Sequence, residues 1–136
     1  MNLTENFTLE EMITSTTAKA RGIDNTPNDS QRSAILRLCK EILQPIRSKY
    51  GKVINVTSGF RCKELNKAVG GASTSQHLRG EAADINSADN STLWNLILEM
   101  IGKEEIKVGQ LIDEKKLRWI HISLPSPAHV NQILHL

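Results

Sequence analysis

The sequence predicts an α+β fold, with a small, mostly antiparallel sheet and helices packed on it. Helical periodicity dominates the first part of the chain, and strand patterns with helices inserted between them dominate the second. A regular alternation of strands and helices would instead favour a doubly wound α/β sheet. At 136 residues, the chain fits a single domain over residues 1–136 that can bury a core without disulfide support.

The composition is ordinary for a globular protein and argues against two classes of function. Hydrophobic residues make up 39% and charged residues 24%, and the net charge of +2 comes from Lys and Arg scattered among Asp and Glu. Nucleic-acid binders usually carry a basic stripe, so we expect no nucleic-acid partner. No apolar run approaches the roughly 20 residues of a membrane span, and the N-terminus lacks the pattern of a signal peptide. We expect a protein made in soluble form in the cytoplasm, without membrane insertion.

A short helix is predicted to follow Phe7. Thr8 is placed to cap it and Glu11 to return the hydrogen bond, while Phe7 and Met12 form a hydrophobic staple. This helix is expected to end near residues 15–20. A polar loop over residues 24–30 then leads to the next element.

The main core helix is predicted over residues 30–50, because apolar residues recur there at helical spacing and predict one buried face: Ile35, Leu38, Ile42, Leu43 and Ile46. Pro45 lies inside it and should kink or split it, since proline removes a backbone donor and crowds the preceding turn. Cys39 falls on the apolar stripe and Cys62 lies beside Arg61. We expect two free thiols rather than a disulfide.

The rest of the chain supplies the sheet. Alternating apolar residues, or small residues in one case, predict strands over residues 53–58, 82–86, 110–113 and 119–123, with an edge strand over residues 130–134. A short helix is predicted over residues 63–69 and a second amphipathic helix over residues 91–101. The strands at 110–113 and 119–123 should form a hairpin.

Three residues could form a metal site. His77 precedes Asp84 by seven residues, Gly80 allows a turn between them, and His121 lies in an apolar strand. Two imidazoles and one carboxylate are sufficient to hold a catalytic zinc that keeps its fourth position for water. The His77 and Asp84 pair alone is a weak signal, since such a pair occurs by chance in many proteins.

The surrounding residues strengthen that signal because they appear in a characteristic order. The ordered set is Ser58-Gly59-Phe60-Arg61, Gly70-Gly71, Ser75-Gln76-His77, Gly80, Ala82, Asp84 and Trp119-Ile120-His121. It closely resembles the zinc D-Ala-D-Ala carboxypeptidase family of peptidases, especially the small branch found in phages and prophages. The resemblance extends over most of the chain and implies the fold that this family shares with Hedgehog signalling domains.

The resemblance implies roles for individual residues. It makes His77, Asp84 and His121 the ligands of Zn²⁺, and it assigns Arg61 to the substrate. A guanidinium suits either a terminal carboxylate or the oxyanion that develops during amide hydrolysis. Ser75 matches a motif serine that would bind substrate or support a ligand, and Trp119 could line the pocket.

The general base is the point at which the sequence departs from the family pattern. Family members commonly carry an acid three positions before the last histidine, but this chain has Arg118 there. If the hairpin turns at Lys115 and Lys116, Gln110 lies opposite His121, Glu114 shares the face of His121, and Asp113 lies opposite Arg118. Glu114 is then the predicted base, with Asp113 as the alternative. Glu81 is a third acid, expected to be solvated.

These observations predict a zinc peptidase that hydrolyses D-alanyl amide bonds of peptidoglycan by a metal-activated water, either as a carboxypeptidase or as an endopeptidase. Its partner would be the peptidoglycan peptide, reached after release through a pore or lysis, and a monomer is favoured. The alternative is a non-catalytic zinc module that binds a wall peptide or a protein. We expect His129 and His135 to be surface histidines.

Overall fold

The structure is a computed structural model that describes residues 1–136, and it has the predicted α+β architecture. The α-helices are α1 (Leu9–Ile13), α2 (Thr16–Arg21), α3 (Asp29–Leu38), α4 (Gln44–Tyr50), α5 (Lys63–Ala68) and α6 (Asn90–Gly102). A π-helical segment covers Cys39–Leu43 and a 3₁₀ helix covers Gln76–Arg79. The strands are β1 (Asn55–Ser58), β2 (Ala82–Asn86), β3 (Gln110–Glu114), β4 (Trp119–Ser123) and β5 (Gln132–His135). None of the helices has the length and apolar composition that a membrane span requires.

The first helix begins as predicted but ends earlier. Thr8 accepts a hydrogen bond from the Glu11 N–H at 3.1 Å, and the Glu11 carboxylate accepts one from the Thr8 N–H at 2.8 Å, which completes the capping box. The helix ends at Ile13, and the Ser15 hydroxyl caps a second helix. The single helix predicted to end near residues 15–20 is therefore two, because Ser15 stabilises a new helix start.

The helical backbone from Asp29 to Tyr50 continues past Pro45 without a break. The Gln44 N–H bonds to the Cys39 carbonyl, five residues back, so a π-helical turn precedes the proline. Such turns absorb local irregularity in a helix, and here one lies directly before the residue that lacks a donor. The expected split does not occur, and a π segment lies inside one long helix instead.

The apolar stripe of this helix is the centre of the core. All five residues predicted to face inward have no exposed surface: Ile35, Leu38, Ile42, Leu43 and Ile46. Both cysteines are free, as predicted. Burial raises the pKa of the Cys39 thiol to about 12, and the Glu11 carboxylate adds to this shift, so the thiol stays protonated at neutral pH.

The sheet has the order β1-β2-β4-β3-β5, and only the β3–β5 pair is parallel. Because side chains alternate along a strand, each strand has two faces. One face packs on the helices and contributes Ala83, Ile85, Leu111, Ile120 and Ile122 to the core. The opposite face carries Asp84, Ile112, Glu114, Trp119 and His121, which line a cleft.

The hairpin register differs by two residues from the predicted one. Ile112 pairs with His121, Asp113 with Ile120 and Glu114 with Trp119. The prediction that Gln110 faces His121, and that Asp113 faces Arg118, is wrong. The loop includes Leu117 and Arg118, with Lys115, Lys116 and Leu117 in left-handed backbone conformations. A shift of two residues preserves the alternation of faces, so Glu114 still shares the face of His121.

Candidate metal centre

The three predicted ligands come from three different elements and meet at the cleft floor. Asp84 and His121 are directly paired across strands β2 and β4. His77 reaches them from the 3₁₀ helix, which precedes β2. Gly80 ends this helix with φ +74°, a conformation that favours glycine, and the chain then turns into β2. The backbone thus brings the two histidines to one carboxylate.

The donor atoms of the three side chains are close enough to share one ion. Asp84 Oδ1 lies 3.0 Å from His121 Nδ1 and 3.4 Å from His77 Nε2. All of the potential donor atoms lie within 4.8 Å of one another. With bonds of about 2.0–2.2 Å, the donors of a tetrahedral zinc site are about 3.4 Å apart. The cluster therefore fits a metal with little rearrangement.

A backbone contact fixes the tautomer of His77. His77 Nδ1 lies 2.7 Å from the Gly59 carbonyl oxygen. A carbonyl oxygen only accepts, so Nδ1 carries the hydrogen and donates it, and the lone pair of the neutral ring is on Nε2. Nε2 is the atom that faces Asp84. A metal-binding histidine typically has such an oriented ring.

The cluster also has the charge that a divalent ion requires. Burial raises the pKa of the Asp84 carboxyl, but the hydrogen bond with His121 and the proximity of the His77 ring lower it by more, so the pKa lies below its ordinary value. Asp84 is therefore a carboxylate at neutral pH. The His77 side chain is almost fully buried, whereas those of Asp84 and His121 keep 16% and 14% of their surface exposed to the cleft. An ion would have protein ligands on one side and access from the cleft on the other.

A sequence model of the family described as peptidase M15 matches residues 5–123, which include His77, Asp84 and His121. The chain belongs to the peptidase M15 family. Comparison with curated proteins gives no match. The resemblance to zinc D-Ala-D-Ala carboxypeptidases is thereby confirmed at the level of the family. M15 membership indicates a metallopeptidase that acts on a peptide, and the His77-Asp84-His121 group is able to hold its metal.

The cleft of this M15 member has a volume of about 790 Å³ and contains the other residues singled out from the sequence. Arg61, Ser75, Trp119 and Glu114 all line it. The Ser75 hydroxyl accepts a hydrogen bond from the His77 N–H at 3.2 Å and so caps the 3₁₀ helix that carries this ligand. Trp94, by contrast, is buried in the core.

Arg61 is held in the cleft wall with part of its guanidinium unpaired. Its backbone N–H donates to the His77 carbonyl at 3.1 Å, and its Nε atom is buried without a hydrogen-bond partner. Burial lowers the pKa of the guanidinium, and the Asp84 carboxylate opposes that shift. Because an arginine keeps its charge in proteins, the cleft wall contains a cation.

The three candidate acids have different surroundings. Glu114 lines the cleft beside Trp119. Asp113 is on the helix face of the sheet, where it accepts from the Leu117 N–H at 2.7 Å and lies 3.2 Å from His135. Glu81 pairs with Arg79 at 2.8 Å and does not line the cleft. Glu114 is thus the one of the three that lines the cleft.

Several contacts at the site could not be identified from the sequence. His129 is half-buried and lines the cleft wall, in contrast to the open surface position expected for it, whereas His135 is largely exposed as predicted. Gln110 also lines the cleft and donates to the Gln132 side chain on β5 at 2.9 Å. The Gly59 carbonyl that orients His77 is a backbone group, so no side-chain motif could indicate it.

Asn25 was missed as a support of the site. Its buried amide donates to the carbonyls of Ile13 and Phe60, both at 2.9 Å, and accepts from the Cys62 N–H at 2.8 Å. These bonds hold the segment that contains Arg61. Asn25 lies in the Asn25-Thr26-Pro27 turn, and the composition of this segment predicts only a loop. The contacts that make Asn25 a support are with residues distant in sequence, so the local pattern does not indicate them.

We expect Asn25→Ala to lower the free energy of unfolding by about 1–3 kcal/mol, because two carbonyls and one N–H lose their buried partner. Urea denaturation measures the change. Thr26→Ala is the matched control, since the Thr26 hydroxyl contacts only the exposed Asp24, and we expect it to stay within about 0.5 kcal/mol of the unsubstituted protein. Equal stabilities of the two variants would contradict the role of Asn25.

Proposed function

We propose that this chain is a zinc peptidase that hydrolyses D-alanyl amide bonds in the stem peptides or cross-links of peptidoglycan. The observation that carries the proposal is the His77-Asp84-His121 group at the floor of a cleft, in a chain of the M15 family. The order of motif residues that resembles zinc D-Ala-D-Ala carboxypeptidases supports the choice of substrate. We further propose that residues 1–136 act as one catalytic domain and as a monomer, and that the protein reaches the wall through a pore or after lysis.

The proposed zinc ligands are His77, Asp84 and His121. The donor set, with two imidazole nitrogens and one carboxylate oxygen, is typical of catalytic zinc and leaves room for a further ligand. A bound zinc ion would act as a Lewis acid that polarises the amide carbonyl and lowers the pKa of water at the site. The chain itself contributes the oriented ring of His77, fixed by the Gly59 carbonyl, and the partly open side chains of Asp84 and His121.

Glu114 is the proposed general base. It lines the cleft on the same sheet face as His121, diagonally across the ladder from it, since Ile112 is the direct partner of His121. Diagonal neighbours on one face of a sheet are close enough for long side chains to interact. It would accept a proton from the attacking water and deliver it to the leaving amine. Arg118, at the position where the family commonly has an acid, is exposed in the hairpin loop.

Arg61 is proposed to bind the substrate, by meeting either a carboxylate or the developing oxyanion. We expect Arg61→Lys to lower kcat/KM by about tenfold, because lysine retains the charge but lacks the planar fork of donors. Steady-state kinetics on a D-Ala-D-Ala peptide measures the loss, and zinc content should be unchanged. A variant with unaltered kinetics would exclude Arg61 from substrate binding.

The function is tested by incubating the zinc-loaded protein with muropeptides and with D-Ala-terminated peptides, followed by mass spectrometry of the products. We expect cleavage at a D-alanyl amide bond. The absence of products across several cross-link types, with one zinc bound per chain, would contradict the enzyme and favour the alternative of a non-catalytic zinc module that binds a wall peptide or a protein.

A further inference from the structure

A second cavity lies beside the metal cleft and shares two lining residues with it. This cavity, here called the second lobe, has a volume of about 600 Å³ and lies between residues 14–17 and residues 56–61. Arg61 and Val69 line both the cleft and the second lobe. Val69 is 43% exposed, so the boundary between the two cavities is open to solvent at this residue. A ligand can therefore extend from one cavity into the other across Arg61.

The walls of the second lobe suit an uncharged polar chain. Its charged residues are Glu11 and Arg61, and most of the others carry a hydroxyl group or an apolar side chain. The Glu11 carboxylate is already engaged in the cap of α1. The hydroxyls of Thr16, Thr17 and Ser58 form no hydrogen bond within the protein. These groups are available to a ligand that both donates and accepts, as a peptide backbone does.

One wall of the second lobe is the free edge of the sheet. Strand β1 is the end of the sheet and pairs only with β2. Residues 56–58 line the second lobe, and their backbone groups have no further partner in a turn or loop. An exposed strand edge binds an extended peptide through main-chain hydrogen bonds. The edge therefore favours a peptide over a sugar as the occupant.

The position of Arg61 bears on which bond is cleaved. A carboxypeptidase binds the end of a chain, and a cation that grips a terminal carboxylate closes the site at that point. Arg61 instead lies between two cavities, with its buried Nε unpaired. A chain that passes over it can offer a carbonyl oxygen to the guanidinium and continue along the β1 edge.

We propose that the second lobe binds an extended peptide that continues beyond Arg61, so that the protein is an endopeptidase for cross-linked stem peptides. Water adds to an internal amide, the C–N bond breaks, and one new carboxylate and one new amine are released. This inference rests on the proposed function for its substrate class. Its own content is the occupancy of the second lobe by peptide and the resulting preference for internal bonds.

The kinetic test compares a cross-linked dimer of two stem peptides with diacetyl-Lys-D-Ala-D-Ala, which is too short to fill both cavities. We expect kcat/KM to favour the dimer by about tenfold or more, since contacts distant from the reacting bond contribute to transition-state binding. Thr16→Trp fills the second lobe and should lower the ratio of kcat/KM for the dimer to kcat/KM for the short peptide by about tenfold. The matched control is Lys19→Trp, on the same helix but outside the second lobe, and it should leave both rates unchanged.

Preference for the short peptide, or a dimer preference unaffected by Thr16→Trp, would overturn the inference. A binding measurement separates this outcome from failure of the proposed function. If neither substrate is cleaved, the proposed function fails. NMR titration of the protein with the dimer then tests peptide binding in the second lobe independently of catalysis. Shifts of the amide signals of residues 14–17 and 56–58, absent in Thr16→Trp, would support peptide binding there, and unchanged signals would exclude it.

Discussion

His121→Ala is expected to abolish tight zinc binding and with it the hydrolysis of peptides. The substitution removes one of three ligands and leaves His77 and Asp84, and two ligands hold a divalent ion far less tightly than three. Because metal binding stabilises only the folded protein, zinc should raise the Tm of the unsubstituted chain. At a zinc concentration about 1,000 times Kd the gain is about 4 kcal/mol, and it should be missing in the variant. Metal analysis after dialysis and thermal unfolding with and without zinc measure both effects.

The matched control for this experiment is His129→Ala. His129 lines the same cleft but does not belong to the His77-Asp84-His121 group. It should retain one zinc per chain and the zinc-dependent rise in Tm. If His121→Ala keeps a tightly bound zinc, His121 is not a ligand, and the site must be sought elsewhere in the cleft.

The fold could be predicted from the sequence wherever burial of one face imposes a regular spacing on the apolar residues. The five core residues of the long helix recur at helical spacing and are all fully buried. The strand at Ala82–Asn86 was predicted with its observed bounds, because small and apolar residues fill an interior position between two neighbouring strands. Pro45 shows the limit of local rules. The rule that proline disrupts a helix is correct, but whether the helix bends, breaks or forms a π turn depends on the core packed around it.

The hairpin shows the same limit at the site. Alternation of side chains predicted which residues share a face, and this was sufficient to put Glu114 with His121. Alternation does not determine which residues pair, because a shift of two positions leaves every face unchanged. The longer loop has three residues with positive φ, Lys115, Lys116 and Leu117. None of them is a glycine or an asparagine, so the sequence had no signal for such a turn.

Motif order identified the three candidate ligands, yet their supports come from contacts that are distant in sequence. The Gly59 carbonyl meets a ring 18 residues away, and Asn25 binds Phe60 from 35 residues away. Gly59 itself is required by packing, since a Cβ atom there would collide with the Met12 carbonyl oxygen. Such contacts exist only in the folded chain. The second lobe is of the same kind, because it is formed by segments 14–17 and 56–61 that no local pattern connects.

Glu114→Gln is expected to retain zinc and to lower turnover by roughly 100-fold or more, which is the usual contribution of a general base. Glutamine preserves the size of the side chain and its contact with the cleft but cannot accept the proton of the attacking water. Folding should be little affected, since the Glu114 side chain forms no hydrogen bond or ion pair within the protein. Single-turnover kinetics on the cleaved muropeptide, with zinc content measured on the same sample, gives the comparison.

Asp113→Asn tests the alternative that Asp113 is the general base. Like Glu114→Gln, it replaces a carboxylate with the corresponding amide, one residue away. The Asp113 carboxylate is occupied by the Leu117 N–H and by His135 on the helix face of the sheet, so the variant should keep its turnover and lose only some stability of the hairpin loop. A large loss of turnover in Asp113→Asn, with none in Glu114→Gln, would reverse the assignment and imply a hairpin register shifted by one residue. The pair of variants thus measures the register and the identity of the base together, because a one-residue shift exchanges the two carboxylates between the faces of β3.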